Sequence, residues 1–246
     1  MAKIKTYNRI LLKLSGETLA GKDGSIDPKS VATAAAQIGA VVKSGVQVAL
    51  VIGGGNIFRG LPASRKGGIQ RATADAIGML ATIMNALAMR DGLEAAGVPA
   101  EVLAAIPLAG VAEGFDRRTA IRHLEAGRVV LLAGGTGHPY FTTDTTAALR
   151  ACEIGADAVL KATKVDGVYT ADPKKDKSAR RYRQLSYDDA LGGRLEVMDA
   201  AAFSLCRDNS VRIIVFDFFQ KDALKKAACG DLAIGTVIGD LPTQLA

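Results

Sequence analysis

Unbroken runs of apolar residues alternate along this chain with segments in which apolar positions recur every three or four residues. "RILLKLS" (Arg9 to Ser15) and "VQVALVI" (Val46 to Ile52) are apolar at successive positions, as strands buried on both faces are. The same pattern predicts strands at Ala100–Ala105, Arg128–Ala133, Ala156–Lys161, Val211–Phe216 and Thr236–Ile238. Between them, a helix is expected with Asp27 as its cap, Pro28 at its first position and Gly45 at its end. A long one follows from about Ile69 to Ala96, stopped by Gly97 and Pro99, with others near Arg117–Ala126, Asp144–Glu153, Asp199–Arg207 and Lys221–Cys229. Such alternation predicts an α/β fold, a three-layer sandwich whose mostly parallel central sheet carries helices on both faces. No repeat, linker or low-complexity segment divides residues 1–246, so one domain is expected, and the basic stretch Lys174–Arg183 is where two lobes could part.

Composition narrows the class. With 49% apolar and 23% charged residues the chain reads as an ordinary globular protein. Its continuous apolar runs fall short of the roughly 20 residues that span a bilayer. Met1 to Lys5 is charged with no apolar segment behind it, so a cytoplasmic protein without a membrane partner is expected. Cys152, Cys206 and Cys229 are odd in number, widely spaced and free of any C-x-x-C pair, which argues against a disulfide framework or a zinc site. His123 and His138 are the only histidines, leaving little material for a His/Cys metal cluster; no protein-held metal is expected, and any Mg²⁺ would be carried by phosphate. The net charge of +6 suits anionic ligands, but much of the excess lies in "KKDKSARRYR", which reads as a solvated loop and requires no nucleic acid. Met79, Met84 and Met89 in the long helix read as packing or subunit contacts. His123, at a helix end, reads as a favourable dipole contact.

In open α/β sheets ligands bind beyond the carboxyl ends of the strands, and four such ends here are unusual. After the first strand, Gly16, Gly21 and Lys22 satisfy G-x-x-x-x-G-K, but Asp23 stands where a P-loop needs Ser or Thr, and "GSIDP" is a turn, not a helix start. After the second comes "GGGNIFRG" (Gly53 to Gly60), whose glycines let backbone N–H groups approach an anion and whose Arg59 can grip a phosphate. Phe58 occupies the third glycine position of a dinucleotide fingerprint, and a plain tight turn would explain the glycines alone. "GGTGHPYFTTDTTAA" (Gly134 to Ala148) offers glycines, five threonines and a helix start with Asp144, together an anion cradle, with Asp144 as a simple N-cap the plain alternative. "KATKVDGVYTADP" (Lys161 to Pro173) sets two lysines before a turn and a short "GVYT" strand. Four ends of this kind together favour phosphate chemistry over surface turns.

"LLKLSGE", "LVIGGGNIFRG", "GMLATIMNALAMRD", "AIPL", "GTGHPYFTTD", "LKATKVDGVYTADP" and "VMDAAAF", in this order between Arg9 and Gly235, resemble the motifs of the bacterial uridylate kinase family, within the amino acid kinase fold. The resemblance implies phosphoryl transfer from ATP to UMP with Mg²⁺, a homohexamer, GTP as activator and UTP as inhibitor. It also implies an N-terminal UMP lobe and a C-terminal ATP lobe. Lys13, Leu14, Ser15, Gly16, Gly55 and Arg59 match that family's ATP phosphate site, and Thr163, Tyr169 and Asp172 its adenosine side. Gly54, Asp75, Thr136, Gly137, His138, Pro139, Tyr140, Phe141, Thr142 and Thr143 match its UMP site, with Asp75 toward the ribose hydroxyls. Lys13 would neutralise charge on the transferring phosphoryl group; Arg59, Lys161 and Asp199 are the other catalytic candidates, Lys161 for phosphate stabilisation and Asp199 for orienting the lysines. Gly21, Lys22, Asp23, Gly24, Ser25 and Ile26 match an effector-responsive turn, a little shorter here than in some members, and His138 stands where the family usually has Asn. Two other readings keep the fold: a kinase with a carboxylate acceptor, opposed by "GTGHPYFTTD", and a nucleotide or oxyanion binding protein without turnover, opposed by Lys13, Arg59, Lys161 and Asp199 together.

Overall fold

Residues 7–60, 64, 68–193, 195 and 197–246 are described by the computed structural model, so the charged segment Met1 to Lys5 lies outside the described residues. The strands are β1 (Arg9–Leu14), β2 (Gln47–Ile52), β3 (Ala100–Ala104), β4 (Glu113–Gly114), β5 (Val129–Ala133), β6 (Ala158–Thr163), β7 (Tyr182–Ser186), β8 (Arg212–Asp217), β9 (Gly235–Gly239) and β10 (Gln244–Leu245). They form one sheet in the order β10-β7-β9-β8-β6-β1-β2-β5-β3-β4. Among the strands of the described residues only the β8–β9 and β7–β10 pairs run antiparallel, so the expected mostly parallel sheet is present. The helices are α1 (Pro28–Val42), α2 (Arg71–Ala95), α3 (Arg117–Glu125), α4 (Thr143–Ile154), α5 (Tyr187–Gly192), α6 (Ala200–Asp208) and α7 (Ala223–Ala228).

Alternation along each strand divides the core in two. Ile10, Leu12 and Leu14 pack with residues of α1, α2 and α7 on one face. Leu11 packs with residues of α3, α4 and α6 on the other. Lys13 follows Leu11 by two residues and so stands on the α4 face; in β6, Val159 and Lys161 do the same.

Three local points differ from the sequence reading or sharpen it. "GVYT" forms no strand; Tyr169 makes a single antiparallel bridge to Arg181. Asp144 is not the cap of α4: the Thr142 hydroxyl accepts from the N–H groups of Asp144 and Thr145, and the Thr145 hydroxyl accepts from the N–H of Thr142 in return. The Asp144 carboxylate is thereby free to reach the sheet. Finally, α2 has a mean hydropathy of 1.4 over 18 residues, so by length and composition it is long and apolar enough to cross a bilayer, although no unbroken apolar run marks it in the sequence. Here Ala81, Ile83, Ala86, Met89 and Leu93 of α2 are buried, and its polar Thr82 and Asn85 bond to strand-end turns.

Candidate active site

Lys13 and Lys161 are register partners on the neighbouring parallel strands β1 and β6 and share a face, so their ammonium groups would repel one another. Asp144 prevents this. Lys13 Nζ lies 2.8 Å from Asp144 Oδ1, and Lys161 Nζ lies 2.6 Å from Asp144 Oδ2. Lys161 also donates to the carbonyl of Val197. Burial pushes the Asp144 carboxyl upward, but the two lysines outweigh it and hold the group below the ordinary aspartate range. Burial brings the Lys161 ammonium below the ordinary lysine value, with the Asp144 charge opposing.

The two lysines of this cluster line two different cavities. One, of about 330 Å³, is lined by Lys13, Ser15, Gly16, Gly54, Gly55, Arg59, Asp75, Thr136, His138, Phe141, Thr142 and Thr143. The other, of about 460 Å³, is lined by Lys161, Thr163, Tyr169 and Asp172, with an apolar wall from Val165, Val168, Leu195, Val197 and Val215. The first is rich in backbone amides and hydroxyls suited to phosphate, the second in apolar surface suited to an aromatic base.

Most residues picked from the sequence therefore meet at these cavities; Leu14, Gly137, Pro139, Tyr140, Asp199 and the turn from Gly21 to Ile26 line neither. Leu14 is buried in the core beneath the strand end. Arg59 donates through Nε to the Gly55 carbonyl at 3.1 Å and pairs with Glu17. The other Glu17 oxygen takes Lys164 at 3.0 Å; Lys164 first, then Arg59, holds the Glu17 carboxyl below its ordinary range. Asp75 Oδ2 accepts from Arg71 Nε at 2.8 Å and from the Tyr140 N–H at 2.9 Å. The Arg71 guanidinium also lies over the Tyr140 ring, 5.4 Å from its centroid. Tyr140 has φ 73°, a left-handed conformation costly for this residue type, and shares its loop with Gly137 and Pro139. Asp199 caps α6 through the Ala202 N–H at 2.9 Å and accepts the Thr142 and Thr145 hydroxyls; the carboxylate bound directly to both lysines is Asp144.

The turn from Gly21 to Ile26 lies outside both cavities. It is closed by the Ala20–Ile26 bridge and by the Gly21 N–H to Ser25 carbonyl bond at 2.8 Å, and Lys22 is exposed on it, unlike a P-loop lysine. The three methionines part ways: Met79 lines the first cavity, Met84 is exposed and Met89 is buried. The sequence reading overlooked Glu17, Thr82, Asn85 and the apolar wall of the second cavity. Two of these carried a signal, the polar Thr82 and Asn85 inside an otherwise apolar helix stripe.

Among solved structures, a UMP kinase from Bacillus anthracis is similar at 41% identity, covering 98% of this chain and 100% of that one, with a TM-score of 0.94. A UMP kinase from Ureaplasma parvum is 35% identical over 95% of this chain and 99% of its own, with a TM-score of 0.87. A uridylate kinase from Archaeoglobus fulgidus is 32% identical, with coverages of 94% and 99% and a TM-score of 0.72. Residues 8–217, which include both lysines and the glycine turns, match the amino acid kinase family, and the chain belongs to that family.

Proposed function

We propose that this chain is a UMP kinase, transferring the γ-phosphoryl group of ATP to UMP to give ADP and UDP. The observation that carries the reading is the Lys13–Asp144–Lys161 cluster, with one lysine lining each of two adjoining cavities. The three similar structures named as UMP or uridylate kinases support it. Adenosine would occupy the apolar second cavity, with its triphosphate running past Lys161 toward Lys13, Ser15, Gly16, Gly55 and Arg59. UMP would occupy the first, between Gly54, Asp75 and the Thr136–Thr143 loop. The domain would thus divide into an N-terminal UMP lobe and a C-terminal ATP lobe.

The acceptor is itself a phosphate, whose second ionisation lies near pH 6, so at neutral pH its oxygen attacks without a general base. What the reaction demands is that two anions be held in line and the spread charge of the transition state be met by cations. Lys13 and Lys161 meet it, with Arg59 at the rim. Asp144 keeps the two ammonium groups from repelling each other. Asp199 acts at one remove, through Thr142 and Thr145 at the start of α4. Mg²⁺ belongs to the nucleotide substrate and supplies charge neutralisation on the triphosphate. In the same reading GTP raises activity, UTP lowers it, the turn from Gly21 to Ile26 contributes to that response, and the chains assemble as a homohexamer. Three free thiols, Cys152, Cys206 and Cys229, suit the reducing cytoplasm.

ADP release from ATP, measured in parallel with UMP, CMP, dUMP, acetylglutamate and glutamate, tests the reaction. UMP is expected to be turned over. Turnover with an amino acid and none with UMP would overturn the reading.

A further inference from the structure

On its inward face α2 carries two buried polar side chains one turn apart, Thr82 and Asn85. A polar group on a packed helix face costs stability unless it is hydrogen-bonded, so its partners show what it holds. The wholly buried Asn85 donates through Nδ2 to the Gly53 carbonyl at 2.7 Å and to Asn56 Oδ1 at 2.8 Å. Its own Oδ1 accepts from Asn56 Nδ2 at 3.2 Å. Thr82 donates to the Met79 carbonyl at 2.6 Å and accepts the N–H of Gly134 at 2.9 Å.

These partners lie in two turns far apart in sequence. Gly53 and Asn56 belong to the turn after β2, and Gly134 opens the one after β5. Packing ties them further to the same helix: a Cβ on Gly54 would lie 2.7 Å from the Gly78 carbonyl oxygen and 2.8 Å from Ala81 Cβ. The turn after β1 is gathered in as well, since a Cβ on Gly16 would fall 2.2 Å from Asn56 Oδ1.

Resting on the UMP kinase reading, we infer that Thr82 and Asn85 are positioning residues through which one turn of α2 sets the glycine turns of the site in register with each other. Thr82 fixes the start of the loop that meets the acceptor nucleotide. Asn85 fixes the turn from Gly53 to Arg59, which meets both nucleotides. Thr82 lines the first cavity, but its one O–H and both N–H donors of Asn85 are given to protein carbonyl and amide oxygens, which leaves no donor for a nucleotide phosphate, so each acts through the backbone it orients.

The test is steady-state kinetics on the intact protein with ATP and UMP varied separately. Thr82→Val keeps the shape and removes the acceptor for the Gly134 N–H; it is expected to raise KM for UMP by about tenfold, the scale of one buried donor left unpaired, with KM for ATP within about twofold of the parent. Thr82→Ser restores the hydroxyl and should return KM for UMP to the parental value. Asn85→Asp, which cannot donate to the Gly53 carbonyl, should raise both KM values. Should Thr82→Val not fold, Thr82→Ala carries the same expectation. A purely structural role would lower Tm and the active fraction while leaving both KM values unchanged, and that result overturns the inference. A rise in KM for UMP that Thr82→Ser fails to reverse overturns it too. A parent protein that turns over no UMP instead overturns the kinase reading on which the inference stands.

Discussion

Lys13 and Lys22 both lie near the amino terminus, yet of the two only Lys13 lines a cavity, with its ammonium paired to Asp144. Lys13→Ala is expected to lower kcat by on the order of 100-fold or more, the scale of one preorganised charge donor. Lys22→Ala should leave kcat unchanged. A larger loss from Lys22→Ala in the same assay would revive the P-loop interpretation of that stretch. The buried Lys161 supplies a pH signature. Because burial lowers its proton affinity below that of an ordinary lysine, the ammonium is lost earlier as pH rises, and kcat should fall on the alkaline side at a lower pH than an exposed lysine would give. Lys161→Arg keeps its charge across this range, so the alkaline fall in the kcat profile at saturating nucleotides should move to higher pH. An unmoved profile would mean that Lys161 does not titrate in the catalytic step.

The strands of the central sheet were legible because parallel strands covered on both faces are apolar almost throughout, and β2 and β5 read that way residue by residue. Strand β7 was not: "YRQLS" lies near the sheet edge, is only partly buried and lacks the run that betrays an inner strand. The cap of α4 was ambiguous because Thr142, Thr143 and Asp144 all favour helix starts, and only the path of the chain decides which of them turns inward. The pairing of Lys13 with Lys161 was out of reach for the same reason, since it depends on β1 and β6 lying side by side 148 residues apart in register. Glycines told more than their number suggested. Gly54 is pressed against α2, and Gly54→Ala should push the turn off the helix, lowering kcat/KM by at least about tenfold while far-ultraviolet circular dichroism stays that of the parent. Parental kcat/KM in that variant would show that the close approach is dispensable.

At the scale of the whole molecule, the outer face of α2 leaves Leu80 and Met84 exposed one turn apart, next to the inward stripe that holds the site. Such a stripe suits contact between copies of the chain. If the proposed homohexamer forms through this face, charging it, as in Leu80→Glu with Met84→Glu, should lower the particle mass measured by light scattering toward the 25.5 kDa chain; an unchanged oligomeric mass would overturn that placement. The sheet itself runs unbroken from β10 to β4, and its two halves meet where β1 and β6 are joined from Ile10↔Ala158 to Lys13↔Lys161. A sheet of this kind twists readily but resists sliding of one strand along the next, because sliding breaks every ladder bond at once. The ladder therefore holds the backbones of Lys13 and Lys161 at a fixed offset, one beside each cavity, whatever the loops around them do. In the proposed reaction this seam is a fixed gauge set between donor and acceptor cavities.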